Sequence, residues 1–318
     1  MMTPSTAPLL RRGFFNLEVN NRCALTPVCG DACVLAMRGV TDAKEIEREQ
    51  LLAVVNEAFA LDPALRHFAI VGKEPTESPE ELLAILKRWH GLSKECRPGS
   101  IGMITSGLGI PCLTCELVQT PLSWVLVSVD DAQSTGLRTG RIASRGLENA
   151  LLLHKAGGVE LVAVNTVFTG GNLEALSEIG KILAREKVDQ WGIGSFLAIE
   201  RDAIKATVSV DDLAMLVAHL VRTFGQGELP IVLDLSREDF DALCVKVHAG
   251  EQSGSWRYEV SVESSQVKLT TFNRSEPFLR VRYDGMLLGF DEVLQKDLET
   301  SKWGRYTLGA IKFWHDAG

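Results

Sequence analysis

The chain has 318 residues, 46% of them hydrophobic and 23% charged, with a formal charge of −8 at pH 7. That is the composition of a globular protein with one large domain, or one large and one small. The acidic balance argues against a protein that grips nucleic acid, which needs a concentrated Lys/Arg surface. No apolar run reaches the roughly 18–20 residues of a membrane span, and the opening "MMTPSTAPLLRRGFF" lacks the long apolar stretch of a signal peptide. The expectation is a cytoplasmic protein with neither nucleic acid nor membrane as partner. Seven cysteines, an odd number, do not suit a disulfide framework in that reducing compartment.

In chain order, "FFNLEVN" at 14–20 reads as a first strand. It runs directly into "NRCALTPVCGDAC", which sets Cys23, Cys29 and Cys33 within eleven positions. Ala43–Leu61 follows as a helix, with Ile46, Leu51, Val54, Val55, Ala58 and Phe59 on one face. "HFAIVG" at 67–72 is a buried strand. In "SPEELLAILKRWHG" Ser78 is placed to cap a helix, Pro79 suits its first position and Glu81 completes a capping box. Further strands at 100–107, 124–129, 160–168, 190–199 and 229–235 alternate with helices around 142–156, 172–187 and 211–224. Continuous apolar strands alternating with helices predict an α/β fold whose parallel sheet is buried on both faces. From about 236 the rhythm changes to antiparallel-looking strands, "WRYEVSVES", "QVKLTTFN" and "FLRVRYDGMLLGF", a small β-rich C-terminal domain over 236–318.

In such folds the functional loops gather at the C-terminal ends of the strands, so the cysteine loop lies on the active face. Three thiolates are soft ligands, which zinc and iron-sulfur clusters select. Spacings of five and three match poorly the paired ligands of a structural zinc site, and three buried unpaired cysteines would also fit. Spacing alone leaves these readings open. Asp130 and Asp131 follow the fourth strand and either orient a substrate or form a solvated pair. The six histidines show no metal spacing.

Across residues 12–235 the chain resembles the radical S-adenosylmethionine (SAM) superfamily. "NLEVNNRC" resembles that family's first strand running into its first cluster cysteine, and "IVGKEPTESPEELLAIL" its Gly-Gly-Glu-Pro strand end and following helix. "MITSGL" stands where the family has a Thr-Asn-Gly turn. "VLVSVDD" resembles its Ser-x-Asp strand, and "HKAGGVELVAVNTVFTGGNLEALSEI" its fifth strand between two helices. The chain departs from the family at the cluster loop, C-x5-C-x3-C in place of C-x3-C-x2-C, with Ala32 where an aromatic is usual. Lys73 replaces the second glycine.

The resemblance implies a partial (β/α)6 TIM-like barrel over 1–235. It implies that Cys23, Cys29 and Cys33 hold a [4Fe-4S] cluster, with SAM chelating the open iron. Gly72, Glu74 and Pro75 are then candidates for the SAM amino group, with the ammonium of Lys73 at the same cofactor-binding turn placed to crowd or repel that group; Ser128 and Asn165 are candidates for the ribose or carboxylate, Arg141 for the carboxylate and Phe196 for the adenine. Asp130 is a candidate for orienting substrate. Cys112 and Cys115 are candidates for hydrogen-atom donation to a product radical; the alternatives are a second metal or a packed helix start. Gly289 and Phe290 stand where some members carry cysteines for auxiliary clusters, so none is expected. The implied function is radical chemistry on a small metabolite or peptide, in natural-product or cofactor biosynthesis, with flavodoxin or ferredoxin as reductant. The alternative is a degenerate, non-catalytic cluster-binding protein.

Overall fold

The computed structural model describes residues 14–25, 45–61, 67–92, 99–129, 140–168, 172–195, 208–225, 227, 229–235, 241–243, 245, 267–271, 279–281, 283–284 and 287–288. The elements are β1 (Phe14–Glu18), α1 (Arg48–Leu61), β2 (His67–Val71), α2 (Pro79–His90), β3 (Ser100–Thr105), α3 (Thr114–Leu117), β4 (Trp124–Ser128), α4 (Gly140–Lys155), β5 (Leu161–Phe168), α5 (Leu173–Glu186), β6 (Gln190–Ser195), α6 (Val210–Phe224), β7 (Ile231–Leu235), β8 (Val267–Thr271), β9 (Leu279–Val281) and β10 (Leu287–Leu288). Seven strands alternate with helices as the hydrophobic pattern predicts.

The chain divides into two compact units. The first comprises Arg11–Val127, Arg145–Val162 and Ser275–Gly318. Its strands run in the order β10-β9-β1-β2-β3-β4, parallel from β9 to β4. Alternation along each strand sorts the side chains onto two faces. Phe15 stacks on Phe68 with ring centroids 5.4 Å apart, and Phe68 tilts against Trp89 of α2 at 5.0 Å. The apolar set Phe15, Leu17, Phe68, Ile70, Ile101 and Met103 therefore faces the helices, every member fully buried. The opposite, inner face carries Asn16 and Glu18 of β1 and Asn20, two positions beyond its end.

Helix α1 buries Leu51, Val54, Val55 and Ala58, spaced i, i+3, i+4, i+7. It begins at Arg48 rather than 43, because Glu45 and Ile46 turn their groups elsewhere: the Ile46 amide donates to the Tyr283 carbonyl at 2.7 Å. Helix α2 starts where expected, with Pro79 in its first turn, but the capping box is absent. The Ser78 hydroxyl is engaged by other residues, and Glu81 instead pairs with Arg48 of α1 at 3.1 Å.

The second unit is built mainly on Ser128–Ser144 and Ala163–Arg274. Strands β5 to β8 lie side by side and all pair in parallel. Trp191 of β6 meets Phe224 of α6 edge-on at 6.0 Å, and its Nε1 donates to Thr166 Oγ1 at 2.9 Å. Ser209 opens α6 with a complete capping box to Asp212.

The C-terminal strands depart from the sequence pattern. Strand β8, expected to be antiparallel, extends β7 in parallel, and β9 adds in parallel to the free edge of β1, with β10 folding back on it. Residues read as a separate module over 236–318 thus divide between the two units after Arg274. The segment "WRYEVSVES" lies outside the described residues. No helix among the described residues is long and apolar enough to cross a membrane.

Candidate functional site

The site begins where β1 ends. Val19 keeps the parallel register, its amide donating to the Val71 carbonyl at 2.9 Å. Asn20 follows, fully buried, and its Nδ2 donates to the Glu74 carbonyl at 2.8 Å and to Ser78 Oγ at 2.7 Å. A buried polar side chain is tolerated only when bonded, and here the bonds join two loops far apart in sequence. Arg22 adds a bond to Ser78 Oγ at 3.0 Å and an ion pair with Glu45 at 3.1 Å. The Asn21 amide donates to the same Glu45 carboxylate at 2.9 Å, and the Ala24 amide to the carboxylate of Glu77. Glu45 follows the cysteine loop and Asn21–Arg22 precede it, so these contacts hold the two ends of that loop together. Cys23 sits inside this clasp, half-buried and outside any disulfide.

The turn after β2 is shaped by two residues. Gly72 has φ +154°, and a Cβ there would lie 2.8 Å from Asn20 Oδ1 and 3.1 Å from the Asn20 carbonyl, so only glycine fits against the buried asparagine. Glu74 is 4% exposed. Its carboxylate accepts from the Thr76 amide at 3.2 Å, Thr76 Oγ1 at 2.7 Å, Thr105 Oγ1 at 2.5 Å and the Ser106 amide at 2.8 Å. Four uncharged donors thus satisfy one buried charge, and each such bond is charge-assisted. Because the donors come from both sides, the carboxylate rivets the end of β2 to the end of β3. Beyond it, Gly107 at φ +80° lies against the backbone of Gly146, and Asn149 Nδ2 donates to the Gly107 carbonyl at 3.0 Å.

Of the residues singled out from sequence, Cys23, Gly72, Lys73, Glu74 and Pro75 come together at these strand ends. Lys73 is half-buried and Pro75 buried at the start of a 3-10 turn, Pro75–Glu77. Cys112 and Cys115 are exposed on the helical run Ile110–Leu117. Ser128 ends β4, and Asn165 in β5 has its carbonyl bonded to the Val129 amide at 2.9 Å and its Oδ1 facing Gly192. Arg141 falls in the first turn of α4. Cys29, Cys33, Asp130 and Phe196 lie outside the described residues. Sequence reading missed Asn20, Arg22, Glu45, Thr105 and Ser106. The available signal was the alternation of Asn16, Glu18 and Asn20 with apolar residues, which marks a strand with one polar face; the partners of those residues are distant in sequence.

No protein-family model and no curated protein matches the sequence. Among solved structures, the chain is similar to Streptococcus suis SuiB bound to S-adenosylmethionine, with 15% identity and a TM-score of 0.63 over 96% of this chain and 66% of SuiB. SuiB bound to the precursor peptide SuiA gives a TM-score of 0.63 at 15% identity, covering 94% of this chain and 64% of SuiB. Native anSMEcpe with bound AdoMet gives 0.55 at 16% identity, covering 94% of this chain and 80% of the other. The chain therefore spans just under two thirds of the length of SuiB. The chain thus shares the α/β fold of these proteins, which are seen with bound S-adenosylmethionine.

Proposed function

We propose that this chain, which has the fold of the radical SAM enzymes, is itself one and acts on a peptide or a small metabolite. The observation that carries the reading is the clasp at the ends of β1 and β2, where Cys23 and the Gly72–Pro75 turn are fixed to each other through Asn20, Arg22, Glu45 and Glu77. The donor set suits an iron-sulfur cluster: three thiols in one loop, the first held at the C-terminal end of a parallel strand. Cys23, Cys29 and Cys33 would hold the cluster, and backbone groups of Gly72–Pro75 would take the amino group of SAM. Bound together, cluster and SAM supply one-electron cleavage of a carbon–sulfur bond and hence a carbon radical.

The chain's own residues supply order. Glu74 spends its carboxylate on protein donors and so contributes through the backbone it fixes. Its four bonds keep the turn from yielding when a ligand arrives, which is the preorganisation that binding and radical chemistry both need. Lys73 brings a cation beside the turn. An anionic group of SAM or substrate would be stabilised there. Ser128, Asn165, Arg141, Asp130 and Phe196 remain candidates for the rest of SAM and for substrate. A small electron-transfer protein of the flavodoxin or ferredoxin kind would deliver the electron, in a reducing cytoplasm.

Anaerobic reconstitution tests this. The expected result is iron and sulfide at about four each per chain, reductive breakdown of SAM, and loss of iron in Cys23→Ala. A cluster without SAM breakdown points to the non-catalytic alternative, and a chain that never takes up iron overturns the reading.

A further inference from the structure

We infer that the inner face of the first unit ends in a substrate-reading floor made by Asn16 and Trp124, and that the Asn16 carboxamide there pairs with an uncharged amide of the substrate. The inference rests on the reading above that the chain is a radical SAM enzyme, and adds to it that this face receives substrate.

Strand β1 is buried on both faces, and one of them is entirely polar: Asn16 is 4% exposed and Glu18 2%, with Asn20 beyond them at 0%. Asn20 has a structural duty, since its Nδ2 bolts two loops together. Asn16 has none of that kind. Its Oδ1 is buried and has no hydrogen-bond partner; Asn20 Oδ1 is likewise unpartnered but lies packed against Gly72. Buried acceptors are nearly always paired, so one left open calls for a partner the folded chain does not supply.

The surroundings say what that partner is. The parallel register sets Asn16 beside Ala69, Ala69 beside Gly102 and Gly102 beside Trp124. Trp124 lays its indole over Gly102, where a Cβ would collide with the ring. The indole is anchored by Nε1 donating to Ser100 Oγ at 3.1 Å, and that hydroxyl also meets His67 Nδ1 at 2.7 Å. One row across the inner face is therefore a fixed aromatic slab seated over a glycine, then an alanine, then a carboxamide. A carboxamide offers a donor and an acceptor in one plane, and a half-turn exchanges them. Its complement is a second amide, whose flat unit also stacks on an indole. An ammonium would satisfy only the acceptor.

The test uses the whole chain. The side-chain amide resonance of Asn16, identified by its loss in Asn16→Leu, is followed in wild-type protein during titration with N-methylacetamide, with methyl acetate (the same shape without the N–H) and with methylammonium. The expected result is a saturable shift with N-methylacetamide alone. Asn16→Leu should melt at or above the wild-type temperature, because it removes an unpaired buried acceptor rather than a bond. Equal response to methyl acetate, preference for methylammonium, no response to the amide, or an Asn16→Leu protein that melts several degrees lower would each overturn the inference. SAM binding by the wild-type chain is measured separately by equilibrium dialysis. Amide binding without SAM binding overturns the SAM reading alone, and SAM binding without an amide response overturns this one alone.

Discussion

Replacing Glu74 by Gln probes the rivet between β2 and β3 with almost no change of shape. In the native site Oε1 accepts from the Thr76 amide and from the hydroxyls of Thr76 and Thr105, while Oε2 accepts from the Ser106 amide. A glutamine places an NH2 group at one of the two oxygens. In one setting the NH2 faces the Ser106 N–H; in the other it faces the Thr76 N–H. Either way one backbone donor meets another donor, and neither backbone group can rotate away. An unsatisfied buried donor costs about 1–3 kcal/mol, and the remaining bonds lose their charge assistance, so the expected destabilisation is about 2–4 kcal/mol. At roughly 2–4 °C per kcal/mol for units of this size, the melting temperature falls by roughly 4–16 °C. Thermal denaturation by circular dichroism measures it. The partner variant Thr105→Val should lose much of its own effect in the Glu74→Gln background, since the two share a bond. A Glu74→Gln protein within about 0.5 kcal/mol of wild type, the scatter of ordinary surface substitutions, would refute the claim that this carboxylate holds the strand ends.

Three further outcomes follow from the same structure. Gly72→Ala forces a methyl within 2.8 Å of Asn20 Oδ1 at φ +154°, and the expected cost is about 1–3 kcal/mol in urea denaturation; an unchanged midpoint would contradict the contact. Gly102→Ala drives a Cβ into the Trp124 indole, so a loss of about 1–3 kcal/mol by overpacking is expected, together with altered tryptophan fluorescence as the ring is displaced. His219, 2.6 Å from Ser177 Oγ, is held below the ordinary imidazole value by burial and then by the charge of Arg222. Above about pH 6.5 it is neutral in folded and unfolded chains alike. As pH falls below that value the unfolded chain takes up a proton more readily than the folded one, so stability declines. Urea midpoints at pH 7.5 and 5.5 should separate in wild type and draw together in His219→Gln, and an unaltered separation would exclude this residue as the source.

The sequence was informative where a signal is local. The apolar stripe of α6 and the Ser209 cap are written in consecutive residues, and the helix appears over Val210–Phe224. Where a residue had two uses, local rules chose wrongly. Ser78 stands at a perfect capping position, yet its hydroxyl is taken by Asn20 and Arg22, more than fifty positions away. The start of α1 was set too early for the same reason, because Glu45 serves the cysteine loop. Strands β8 and β9 look like parts of an antiparallel module because alternation reveals a strand but not its neighbour.

Hydrophobic periodicity by itself determined that parallel strands alternate with helices, since burying an apolar stripe against an apolar sheet requires nothing beyond the local pattern. The clustering of Cys23, Cys29 and Cys33 marked the cysteine loop, and the resemblance to the radical SAM superfamily marked the Gly72–Pro75 turn. Only the tertiary structure decided that Glu74 ties strands together, that Asn20 joins the turn to the cysteine loop, and that Asn16 is left with an open acceptor. Each of those depends on which donors the folded chain brings within about 3 Å, and that proximity exists only once the strands have taken their register.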